Sequence, residues 1–142
     1  MPHEIMDILI KLTLTIILSS LIGTEREYRR KEAGLKTHIL VGVGSCLIVL
    51  TSFHVFDIYK NVSDIDPTRM MAGIIAGIGF LCGGTIIRAG SQVSGLTTAA
   101  ALWTVSGIGM AIGAGHYSAG ILFALVIFAV LVGLRRLEAR LK

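Results

Sequence analysis

The densest charge in the sequence stands where an apolar run stops: Glu25, Arg26 and Glu27, then Arg29, Arg30 and Lys31, within LIGTEREYRRKEAGLKTH. Arginine offers a planar fork of donors that matches a carboxylate, a pairing well suited to a membrane boundary. Glu25 is therefore expected to pair with Arg26, with Arg88 or with a partner protein, and Gly34 to turn the chain back. The competing reading is a solvated basic loop that sets topology.

A second charged pair, Asp7 and Lys11, lies one helical turn apart on one face of the first apolar run. Asp7 is the weak candidate for a metal, magnesium being the one ion weighed as ligand or substrate. Magnesium wants octahedral oxygen ligands and sheds water reluctantly, so a pathway for it needs carboxylates or a polar lining at depth. The later apolar runs offer no acid at mid-depth. They do offer a trail of hydroxyls: Thr13, Thr15, Ser19 and Ser20, then Ser45, Thr85, Thr104 and Ser106. Helical hydroxyls commonly bond their own backbone carbonyls, which is the plainer account of the trail. Asp57, Asp64 and Asp66 in the stretch FDIYKNVSDIDPTR could gather cations, or belong to an ordinary hydrated loop.

In GLTTAA, Gly95 permits a turn, and Thr97 or Thr98 can offer an oxygen to the free amides of a starting helix. The alternative is that those amides face an anion or the Glu25 loop. His38, His54 and His116 are too scattered for a metal site. No nucleophile with its base, no phosphate loop and no nucleotide fingerprint can be read. No catalytic residue, no cofactor and no enzymatic activity are expected.

These residues need elements to hold them. Hydrophobic residues make up 54% of the 142, and charged residues only 15%. A soluble domain of this size needs far more polar surface. The apolar residues fall into five blocks, each about long enough to cross a ~30 Å hydrocarbon layer as a helix. The expected fold is all-α: one transmembrane domain, 1–142, with helices at about 4–23, 38–56, 69–87, 96–113 and 119–134 and RAGSQVSG as a short connector. The first block lacks a basic leader and a small-residue cleavage site, so it is expected to stay as a helix. Net charge is +4, but the basic residues flank apolar blocks, which points to topology and not to nucleic acid.

Counting lysine and arginine near the block ends gives the orientation. Arg26, Arg29, Arg30, Lys31, Lys36, Arg88, Arg135, Arg136, Arg140 and Lys142 fall on one side; Lys60, Arg69 and Lys11 belong to the other. The positive side faces the cytoplasm, so the N-terminus is expected outside and the C-terminus inside. Gly73 and Gly77, Gly79 and Gly83, and Gly109 and Gly113 are spaced four apart, which lets helices approach closely. They are read as packing within the chain, with a homodimer interface as the alternative. Cys46 and Cys82 read as small buried residues.

Three motifs resemble one family in order and spacing: Gly23-x-Glu25-Arg26 followed by Ala33-Gly34-Leu35-x-Thr37, then GIGFLCGGTIIR at 77–88, then GLTTAAALW at 95–103. Together they are similar to the membrane domain of the MgtC/SapB family, over nearly the whole chain. The resemblance implies a bacterial inner-membrane protein, associated with growth in low magnesium and, in intracellular pathogens, with survival inside host cells. Many members carry a soluble cytoplasmic domain after the membrane part, whereas this sequence ends at Lys142, so that domain's functions are not expected here. Cys82 stands where the family usually has glycine.

The expectation is a multi-pass inner-membrane protein linked to magnesium homeostasis that acts by regulatory contact with other membrane proteins; the alternative is a magnesium or other ion transporter. Its partners are the bilayer, a membrane protein and a second copy. The functional positions expected to meet at the cytoplasmic boundary are Glu25, Arg26, Gly34, Thr37, Arg88, Gly95, Thr97 and Thr98.

Overall fold

The computed structural model describes the backbone of residues 2–62 and 64–141, and side chains of residues 3–62 and 64–134. The basic side chains of the tail, Arg135, Arg136, Arg140 and Lys142, lie outside the described ones. Five helices run in order: α1 (Pro2–Tyr28), α2 (Leu35–Tyr59), α3 (Thr68–Gly83), α4 (Leu96–Gly113) and α5 (Tyr117–Leu141). A small antiparallel hairpin, β1 (Ile87–Ala89) with β2 (Gln92–Ser94), sits between α3 and α4. Four of the helices are long and apolar enough to cross a membrane, and α3, at 16 residues, is a shorter apolar helix. The chain is a multi-pass helical membrane protein.

The helix α4 is the axle, packed against all four others. Its apolar residues leave no polar face, the pattern of a helix enclosed by its neighbours. Leu18 and Ile22 of α1, Val105, Ile108 and Ile112 of α4 and Ala124 of α5 form the main core. Lipid tails are as apolar as leucine, so this burial supplies little drive, and close contact and interhelical hydrogen bonds hold the bundle. At the crossing of α2 and α4, a Cβ on Gly109 would run into the Gly42 carbonyl. At the same crossing, the Ser45 and Ser106 hydroxyls bond each other at 2.9 Å.

Gly109 and Gly113 thus pack within the chain as expected. The α3 pairs do not: Gly73, Gly77, Gly79 and Gly83 have nothing within 4 Å where a side chain would be. Only Ile74 and Cys82 of α3 are buried. Cys82 is its anchor, its thiol donating to the Ala99 carbonyl at 3.1 Å.

Expected boundaries change in four helices, the second running over Leu35–Tyr59 instead of 38–56. The first helix passes Gly23 and continues through TEREY, because Glu25 and Arg29 pair one turn apart and both residues favour helix. It stops in a Schellman turn, with Lys31 N–H on the Arg26 carbonyl, Arg30 N–H on the Glu27 carbonyl, and Arg30 left-handed at φ 54°. The third helix ends at Gly83 and not at 87, since consecutive glycines stop it and the next residues pair Arg88 with Val93 across a hairpin. Gly90, at φ 63°, supplies the positive φ that a two-residue hairpin turn needs. The fifth helix runs on to Leu141.

Candidate functional site: the charged end of α1

The helices alternate in direction, so the last turns of α1 and α5 meet the first turns of α2 and α4 at one end of the bundle. Arg26 sits at the centre of this end, 4% exposed, beside Glu25 at 9%. Its guanidinium lies 3.5 Å from the Glu25 carboxylate, which Arg29 also approaches at 3.3 Å. The other guanidinium arm donates to the Thr98 hydroxyl at 3.4 Å. Thr98 in turn donates to the Glu32 carboxylate at 2.7 Å. That bond holds the Glu32 carboxyl below the usual glutamate range, because it favours the charged form. One line of polar groups therefore ties the end of α1, the loop after it and the start of α4.

Glu27 performs a separate task. Its carboxylate accepts the Leu35 N–H at 2.9 Å and so caps α2, satisfying one of the orphan amides at that helix start. The cap explains Gly34: any Cβ there would occupy the position of the Glu27 carboxylate. His38, fully buried, approaches the Gly34 carbonyl through Nδ1 at 2.8 Å. Glu25 Oε2, Arg26 Nε and His38 Nε2 are buried without a hydrogen-bond partner among the described residues, as is Ser19 Oγ deeper on α1.

Of the expected positions, Glu25, Arg26, Gly34 and Thr98 come together here, and Thr97 lines the depression next to them. Gly95 is the N-cap of α4, left-handed at φ 84° and pressed against the Thr85 carbonyl. Arg88 and Thr37 do not join. Arg88 stands exposed on β1 and donates to the Gly90 carbonyl at 3.3 Å, so it is no partner of Glu25. Thr37 is exposed and lines an apolar groove between α2 and α3. The threonines do not cap α4 either, since Gly95 provides no side chain and Thr98 turns to Arg26 and Glu32.

Arg29 and Glu32 were missed as site residues. The first was legible as the residue one helical turn after Glu25. The second was not, since Glu32 and Thr98 are 66 residues apart and only the packing of α4 against α1 brings them together.

At the other end, Asp7 pairs with Lys11 at 2.7 Å and accepts from the Tyr117 hydroxyl at 3.3 Å. A cavity of about 620 Å³ opens beside it, with Glu4, His54 and Asp57 on its walls. Asp57 is itself engaged by Lys60 at 3.0 Å. Asp66 accepts from the backbone and hydroxyl of Thr68, at 2.8 and 2.6 Å, and so starts α3. Among the described residues, no three His, Cys, Asp or Glu side chains converge as a metal site. Along the trail, Thr15, Ser45, Thr85 and Thr104 bond carbonyls of their own turns at 2.8 Å.

The model of the MgtC family matches residues 12–140. The chain is 38% identical over 137 residues to YhiD of Escherichia coli (strain K12), whose name proposes a magnesium transporter; the match covers 95% of this chain and 64% of that protein. It is 42% identical to Protein SapB of Bacillus subtilis (strain 168), over 84% of this chain and 54% of that one. It is 36% identical to Protein MgtC of Salmonella typhimurium (strain LT2), over 94% and 54%. The chain thus spans between half and two-thirds of the length of these relatives. No solved structure matches it. With the Glu25–Arg26, Gly34 and GLTTAA motifs folded into one charged end and the family model covering almost all of the sequence, the chain belongs to the MgtC family.

Proposed function

We propose that this is a non-enzymatic inner-membrane protein linked to magnesium homeostasis, with its N-terminus outside, and that it regulates other membrane proteins by contact from its charged end. The observation that carries this reading is the Arg26 cluster. Among the described residues, the more basic end of the bundle is also the end where charged side chains are buried and fixed between α1, the loop after it and α4. Charge fixed in this way, with Arg29 and Lys31 open beside it, suits recognition of a partner more than passage of an ion. The family names of its relatives supply the link to magnesium.

The open glycine face of α3 is the surface we assign to a membrane-protein partner or a second copy, because small residues let another helix approach. A second reading, ion transport, draws on the cavity beside Asp7 and the name of the E. coli relative. Magnesium uptake into sealed liposomes containing the purified protein separates the two. The regulatory reading expects no flux above empty vesicles, and loss of function in cells on Glu25→Ala. Protein-dependent flux that Asp7→Asn abolishes would replace it with the transporter.

A further inference from the structure

We infer that the charged end holds one anionic phospholipid, its phosphate between Arg29, Lys31 and the start of α4, and an acyl chain in the groove between α1 and α5. Two depressions meet there. The upper one, about 430 Å³, is lined by Arg26, Arg29, Lys31, Glu25 and Thr97, with Leu131 and its neighbours on α5 as the apolar wall. The lower one, about 700 Å³, is a trough between α1 and α5 walled by Leu18, Leu21, Leu125 and Phe128. Glu25 and Arg29 line both, so the polar cup and the trough adjoin across that ion pair.

The cup favours a phosphate for three reasons. Among the described residues, three basic side chains face one acidic one, and that one, Glu25, is already engaged by Arg26 and Arg29. The α4 helix begins on a glycine with no side-chain cap, leaving first-turn amides and the positive end of the helix dipole free for an anion. Arg26 Nε, on a side chain 5% exposed, has no partner among the described residues. Among the described residues, two other carboxylates at this end are engaged, Glu32 by the Thr98 hydroxyl and Glu27 by the Leu35 amide. A free phosphate would use the cup alone. The apolar trough that continues from it, along two helices long enough to span a bilayer, fits a ligand with an acyl chain.

The test is native mass spectrometry of the whole purified chain released from detergent, titrated with phosphatidylglycerol, phosphatidylcholine of the same acyl chains, and glycerol 3-phosphate. One phosphatidylglycerol should be retained at about tenfold lower concentration than phosphatidylcholine, because both phosphates accept the same bonds but the basic lining repels the cationic choline. Arg29→Gln with Lys31→Gln should erase that preference, while Lys36→Gln with Arg88→Gln, the same loss of charge elsewhere, should keep it. Leu125→Trp, which fills the trough, should weaken both lipids. Equal retention of the two lipids by the unaltered protein, equal loss in the Lys36 and Arg88 variant, or displacement by glycerol 3-phosphate as effective as by the lipid would overturn the inference. The headgroup comparison needs no variant, so a misfolded mutant does not blunt it.

Discussion

The two ends of α1 carry the same chemistry, an acid and a base one turn apart, and use it in opposite ways. Asp7 is half exposed and Lys11 largely covered, so water and ions compete for the carboxylate of that pair. Glu25, Arg26 and Arg29 lie about 27 Å further along the helix, at 1.5 Å per residue, and are closed over by α4 and α5. That more open pair adds little to stability, because its carboxylate stays half in water. The enclosed cluster has no neutral exit: taking away one member leaves another charged and unsolvated. The difference arises from the surroundings alone, because both segments read the same way in one dimension.

The strongest way to break the comparison is to remove one charged group from each end. Arg26→Ala strands Glu25 with Arg29 alone and leaves Thr98 without its donor, and should cost about 3 kcal/mol. Asp7→Asn should cost less than about 1 kcal/mol. Reversible denaturation in mixed micelles measures both, and equal losses would mean that the Arg26 cluster is as well hydrated as the Asp7 pair.

Thr98→Val sharpens the contrast by keeping shape while deleting the hydroxyl. Arg26 then loses an acceptor in a buried place, a loss of about 1–2 kcal/mol. The same change has a signature in pH. The folded-state pKa of Glu32 lies below its ordinary value of 4.5, so its contribution is full above that value and is lost as pH falls through the lower folded one. Wild type should lose stability on that acid limb, and Thr98→Val should lose less. Identical acid limbs would show that Thr98 does not hold Glu32 in its ionised form.

Gly34→Ala tests the next layer out. The added Cβ displaces the Glu27 carboxylate from the Leu35 amide, so the variant should lose about 1 kcal/mol of helix capping. In a Glu27→Ala background the same substitution should cost almost nothing. Additive losses would mean that the glycine serves some other contact.

Much of this fold was legible because membrane helices announce themselves by length and composition: the boundaries of α4 were read to the residue. Where the reading failed, a local rule met a tertiary one. Gly23 looked like a helix end but allows α1 to press against Leu35, so the helix continues and puts Glu25 and Arg26 on a rigid face. Thr98 had the right type and place for a cap, yet its hydroxyl is drawn to two charged groups that only folding brings near. The hairpin at 87–94 was hidden by an apolar run too short to tell strand from helix. Arg88 shared the motif pattern of the charged cluster, and the hairpin carries it away.

The smallest expected effect lies at Arg30, where the comparison of ends comes down to one backbone angle. The Schellman turn that stops α1 sends the chain back so that Glu32 reaches Thr98. It requires a left-handed residue, and arginine at φ 54° pays a steric cost that glycine does not. Arg30→Gly should therefore be neutral or more stable, by up to about 1 kcal/mol, despite losing a charge at the most basic end. The gain is limited because glycine also gives the unfolded chain more freedom. A clear loss of stability in the same micelle assay would show that the Arg30 side chain, and not its backbone, holds the turn, and would extend the enclosed cluster one residue beyond Arg29.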